Sequence, residues 1–70
     1  MILTPIKSSN IAAYHYDPHS RDLTLQFVGG AKHVYADVPQ ERVDGMLNNG
    51  SAGKYFHKFI RNGFASRKAG

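Results

Sequence analysis

Residues 22–39, DLTLQFVGGAKHVYADVP, hold two apolar runs separated by a glycine pair, and the way these runs pair decides the fold. Leu23, Leu25 and Phe27 alternate with Thr24, Gln26 and Val28, the period of two expected of a half-buried strand. Gly29-Gly30 offers a two-residue hairpin turn, because glycine reaches the positive φ that such turns demand. Pairing outward from that turn sets Leu25 opposite Val34 and Leu23 opposite Ala36 on one face. Gln26 then meets His33 and Thr24 meets Tyr35 on the other. The first face is aliphatic and suits a covering helix layer; the second is open and carries an imidazole and a phenol.

Upstream, NIAAYHYD (10–17) has the length and composition of a strand, and DPHSRD (17–22) is dense in turn formers. Alternation in NIAAYHYD is ambiguous, so the face taken by Tyr14 and Tyr16 stays open. Downstream, Pro39 ends the third strand and suits a first helical position, where its missing N–H costs nothing. Val43, Met46 and Leu47 recur at i, i+3 and i+4, which predicts a short helix stopped by Asn48-Asn49-Gly50, with Gly45 a poor helix former inside it. Ala52, Tyr55, Phe56, Phe59 and Ile60 fall at i, i+3, i+4, i+7 and i+8 and mark a second helix by a full apolar stripe. Ser51 is its N-cap and Asn62-Gly63 its stop. The expected fold is α+β, a three-stranded antiparallel β-meander followed by two C-terminal helices packed on one sheet face. About five residues at the start and the basic tail SRKAG are expected to be loose ends.

A chain of 70 residues is one domain, residues 1–70, and buries only about 60% of the surface its unfolded form exposes. It has no cysteine, so neither a disulfide framework nor a thiolate zinc site can reinforce it. Nine Lys and Arg against five Asp and Glu give a net charge of +4, which suits anionic partners such as nucleic acid. No run approaches the ~20 apolar residues of a membrane span, and the opening MILTPIKSSN lacks the apolar core of a signal peptide. The expectation is a cytoplasmic protein with no membrane association.

On the polar side of the second helix Lys54, Lys58 and Arg61 lie at i, i+4 and i+7 with His57 beside them, a row of cations fit for phosphates or for solvation. The turn through Ser51 and Gly53 could add backbone N–H groups and the positive end of a helix dipole. It lacks the GxxxxGK[ST] spacing of a P-loop, and its plain alternative is a capped helix start. His33 and Tyr35 on the open sheet face would form a shallow surface able to stack on unpaired bases. The aromatic stripe of the helix itself reads as core. His15 and His19 straddle a turn with no third ligand at a diagnostic spacing, so no metal site is expected. With no nucleophile beside a base and no cofactor motif, neither an enzyme nor a bound cofactor is expected.

Taken together, Ser8-Ser9-Asn10-Ile11, Tyr16-Asp17, the glycine hairpin, Val38-Pro39, Ser51-x-Gly53-x-Tyr55-Phe56 and Ile60-Arg61 resemble the KTSC domain. That short family is named for its occurrence at the C-terminus of some lysyl-tRNA synthetases, and it also occurs as free-standing bacterial and phage proteins. Its Y-x-Y hallmark in the third strand appears here as His33-Val34-Tyr35, so one tyrosine is kept, and His15 stands where the family tends to have glycine. The resemblance implies RNA binding through the synthetase context and supplies no catalytic residues. The expected function is a small non-enzymatic module for RNA or another phosphate-bearing ligand. The alternative is a protein-interaction module, such as a phage-encoded inhibitor of a host protein. An exposed sheet edge would also allow homo-oligomerisation.

Overall fold

The computed structural model describes residues 2–48 and 50–69. Strands β1 (Thr4–Pro5), β2 (Ile11–Asp17), β3 (Asp22–Phe27), β4 (Lys32–Tyr35) and β5 (Ser66–Lys68) form one antiparallel sheet in sequence order. Helices α1 (Gln40–Asn48) and α2 (Ala52–Tyr55), the latter running into a π-helical turn (Phe56–Ile60), lie between β4 and β5 in the chain. The protein is therefore α+β with five strands and not three. The two further strands occupy the segments expected to be loose. Every residue of both is exposed, so backbone pairing at the sheet edges holds them and no apolar alternation announces them.

The central hairpin is shifted by one residue from the expected register: Leu23 pairs with Tyr35, Thr24 with Val34, Leu25 with His33 and Gln26 with Lys32. The loop has three residues, because the Phe27 N–H donates to the Ala31 carbonyl at 2.8 Å and Gly30 N–H to the Phe27 carbonyl at 3.0 Å. Gly29 and Gly30 take φ of 106° and 102°, as such a loop requires. Val28 leaves the ladder and donates its N–H to the Asn10 carbonyl at 3.0 Å, with its side chain turned to solvent. A one-residue slip exchanges the faces of a strand. His33 and Tyr35 therefore share the face of Leu23 and Leu25, and Val34 passes to the other.

β2 resolves its own ambiguity through a bulge between Ile11 and Ala13. The extra residue lets Ile11 face the same side as Tyr14 and Tyr16, opposite Phe27, Leu25 and Leu23 in turn. All of these lie beneath the helices. Leu23, Leu25 and Ile11 are fully buried there against Val43, Met46, Phe56 and Ile60.

α1 follows Pro39, whose carbonyl accepts from Arg42 and Val43, and it buries Val43 and Met46 while Leu47 stays partly exposed. It ends at Asn48; Asn49, in the expected stop, lies outside the described residues. Gly45 is explained by packing, since a Cβ there would collide with the Tyr55 ring. α2 begins at the expected cap, with Ser51 Oγ accepting from the Lys54 N–H at 3.4 Å.

The stripe beyond it does not continue as predicted. Arg61 N–H bonds the Phe56 carbonyl at 2.9 Å, an i→i+5 link that holds more residues per turn than an α-helix. Each residue then rotates through a smaller angle. Phe56 and Ile60 keep to the core, while Phe59 falls behind and emerges 37% exposed. The expectation that Phe59 is core is corrected by that wide turn.

Candidate functional site

The hairpin slip and the π turn bring together side chains that looked unrelated along the chain. His33 and Tyr35 from β4 and His57 and Arg61 from the π turn and its end line one open cavity of about 340 Å³, with Asn10, Phe27 and Phe56. Phe56 forms its back wall. Its ring meets Phe27, Tyr35 and His57 edge-on at centroid distances of 5.3, 5.4 and 5.4 Å, and Phe27 meets His33 the same way at 5.8 Å. Edge-to-face pairs of this kind hold the rings in a fixed wall.

Two corrections follow for the stacking surface. His33 and Tyr35 do not lie on the open sheet face; they lie on the helix-covered side. Tyr35 is only 5% exposed, so its ring is core and cannot serve as a platform for a base. His33 is half-buried at the cavity rim.

The charge of the cavity is one-sided, because no Asp or Glu is among the described residues that line it. Among the described residues the ion pairs are Arg21–Asp37 at 3.4 Å and Arg67–Asp22 at 3.5 Å, and Arg61 belongs to neither. Lys68 on β5 pairs with His33 and so projects to the same side of the sheet, adding a second cation near the rim.

Arg61 also has a neutral partner, its Nη1 standing 3.3 Å from His57 Nδ1, while Asn10 Nδ2 stands 3.3 Å from His57 Nε2. A guanidinium can only donate, so Nδ1 accepts and the ring proton sits on Nε2. Both contacts are satisfied when the Asn10 amide turns its oxygen to the ring. His57 thus braces Arg61 from behind. Tyr35 completes the wall: burial pushes its phenol above the usual tyrosine range, opposed by the Arg61 charge, so at neutral pH it is a protonated donor.

The other candidate residues lie elsewhere. Lys54 and Lys58 are exposed on the outer side of the helix, the Lys58 Nζ lying 5.4 Å from the Phe59 ring centroid and the Arg42 guanidinium 5.1 Å from it. Ser51 caps the helix. Gly53 is buried where the 8–10 segment crosses, and a Cβ there would lie 3.2 Å from that of Asn10. Both serve the fold. Sequence reasoning missed Asn10, Phe27, Phe56 and Lys68 as neighbours of the site. Phe27 could have been found from its alternation with Leu23 and Leu25; Asn10 and Lys68 reach the site through a bulged strand and an edge strand that leave no pattern.

The protein is a two-layer α+β domain, an antiparallel meander under two helices with a cationic hollow between the layers. The chain belongs to the KTSC domain family, whose model matches residues 7–64. It is similar to the crystal structure of a KTSC domain protein from Yersinia pestis, with a TM-score of 0.91 and 33% identity over 99% of this chain and 97% of that one. A protein of Tsukamurella paurometabola is 37% identical over 89% of this chain and 92% of its own length. A lysine–tRNA ligase of a Nostoc species is 41% identical over 83% of this chain, which spans 10% of the ligase. No helix among the described residues is long and apolar enough to cross a membrane.

Proposed function

We propose that this protein is a non-enzymatic RNA-binding module that engages an unpaired strand along the π-turn helix and its cavity. The observation that carries this reading is the meeting of Arg61, His57, His33 and Tyr35 in one aromatic-walled cavity with no carboxylate among its described lining residues. Lys54 and Lys58, on the outer side of the same helix, would meet the phosphates of a strand leaving the cavity, and Lys68 lies beside His33 on β5. A cavity of this size admits a single nucleotide and not a duplex, which favours unpaired RNA. Its relatives within lysine–tRNA ligases supply an RNA context in which such a module would work. The module acts as a monomer. β1 has two residues and contains Pro5, and β5 has three and carries Arg67 and Lys68, so both edges are poor templates for strand addition.

Fluorescence anisotropy with labelled single-stranded RNA and folded tRNA tests this directly. Binding should weaken with salt at a log–log slope of roughly two, at about 0.7 for each of three neutralised phosphates. It should vanish in a Lys54→Glu, Lys58→Glu, Arg61→Glu variant. Equal, weak binding by wild type and variant at low salt would overturn the reading.

A second reading rests on Phe59, an exposed ring between Arg42 and Lys58 that also fits an acidic segment of a partner protein. It requires a partner lost on Phe59→Ala while RNA affinity stays unchanged.

A further inference from the structure

Tyr35 carries a polar group that the fold does not use. The residue is 95% buried by its 5% exposure, yet among the described residues its hydroxyl has no hydrogen-bond partner. Among the described residues no fully enclosed side-chain oxygen or nitrogen lacks a partner, so this hydroxyl keeps some contact with solvent, and Tyr35 lines the cavity. A buried phenol normally finds a protein partner. Tyr16, on the same sheet face, does so, donating to the Val38 carbonyl at 2.6 Å. Beside Tyr35, Arg61 gives one N–H to His57 and among the described residues leaves the rest of its fork unused, with no carboxylate among those that line the cavity.

We propose that the Tyr35 O–H and the Arg61 guanidinium together hold the phosphate of one unstacked nucleotide, with its base against the half-exposed rings of Phe27 and His33. This rests on the RNA-binding reading and names the group its cavity takes. A phosphate suits the pair because it offers several acceptor oxygens to a forked cation and a neutral donor at once. His57 is a positioning residue in this arrangement: its Nδ1 fixes one arm of the Arg61 fork and so directs the other toward the cavity.

The test is a titration of uridine 5′-monophosphate, uridine and inorganic phosphate, followed by NMR amide shifts, into wild type, Tyr35→Phe and Arg61→Lys. Wild type should bind the monophosphate at least tenfold more tightly than uridine, with shifts at His33, Tyr35, His57 and Arg61. Tyr35→Phe keeps the ring and breaks no internal hydrogen bond, so it should fold and lose about tenfold in affinity, as removal of a hydrogen bond to a charged group does. Arg61→Lys keeps the charge but not the fork and should lose severalfold. Monophosphate binding that is absent, no tighter than uridine binding, or unchanged in Tyr35→Phe overturns the proposal.

The same variants separate it from the reading it rests on. Salt-dependent RNA binding that is indifferent to Tyr35→Phe would leave the module an RNA binder and sink the phosphate pair. Tyr35-dependent nucleotide binding without RNA affinity would do the reverse.

Discussion

The helix-covered side of the sheet holds two hollows of similar size and different character. One, of about 380 Å³, lies between α1 and the β1–β2 edge and is lined by Thr4, Tyr14, Tyr16, Val43, Asp44 and Leu47 among others. The other, of about 340 Å³, lies between the π turn and β3–β4. In the first, the tyrosine hydroxyl of Tyr16 is tied to Val38 and the carboxylate of Asp44 accepts from Gln40 Nε2 at 3.1 Å, with no Lys or Arg among the described lining residues. In the second, Arg61 and the Tyr35 hydroxyl are left over after folding. Tyr14 in the first hollow also keeps a hydroxyl with no partner among the described residues, so the contrast teaches that an opening of a given shape suits an anion only where a cation remains unspent on the fold.

The most disruptive way to break the comparison is to remove its shared wall. Phe56→Ala deletes a ring that is 3% exposed and touches Phe27 and Tyr35, and should cost about 3–5 kcal/mol. In a domain of this length that is most of the total stability, so urea unfolding followed by circular dichroism should show a largely unfolded chain.

Next comes a charge test confined to ligand affinity. Arg61→Gln should lower affinity for single-stranded RNA at least severalfold, while Asp44→Asn in the other hollow leaves it unchanged. Both should stay within about 0.5 kcal/mol of wild type in stability, because both side chains are exposed.

A paired hydroxyl deletion sharpens the contrast most directly. Tyr16→Phe should destabilise by about 1 kcal/mol through loss of its bond to Val38, whereas Tyr35→Phe should be nearly neutral. Equal losses in the two variants would show that the Tyr35 hydroxyl has a structural role after all.

The smallest effects are those of pH. Burial raises the Tyr35 titration in the folded state, so its contribution is full below the ordinary tyrosine range and is lost as pH rises through the raised value. Tyr35→Phe should flatten the alkaline fall in the urea midpoint above about pH 10. Asp17 behaves oppositely. The backbone N–H groups of His19 and Ser20 donate to its carboxylate and lower its titration, so its contribution is present above the ordinary value of 3.8 and is lost as pH falls through the lowered one. Asp17→Asn should flatten the acid limb.

The elements that the sequence announced are those with strong local signals: the alternation of Leu23, Leu25 and Phe27, the cap at Ser51, and the glycine loop. Register was not among them. Val34 and Tyr35 are each apolar enough to face a core, so alternation in β4 fits either phase, and the three-residue loop closed between Phe27 and Ala31 goes with the observed one. The π turn was equally hidden, since Phe59 and Ile60 both suit a helical stripe. Of the candidate site, the four residues His33, Tyr35, His57 and Arg61 were legible by type. Their convergence was not, because it depends on that slip and that turn together.

The placement of β5 has a kinetic consequence. β1 to β4 follow one another as neighbours and can assemble by local hairpins, whereas β5 must close over both helices before Ser66 meets Tyr35. With three exposed residues and that long closure, it should dock last and open first, and its amides should exchange with solvent well before those of β3. Each such opening carries Lys68 away from His33, so the rim of the cavity gains and loses a cation on the timescale of local unfolding without any change in the core beneath it.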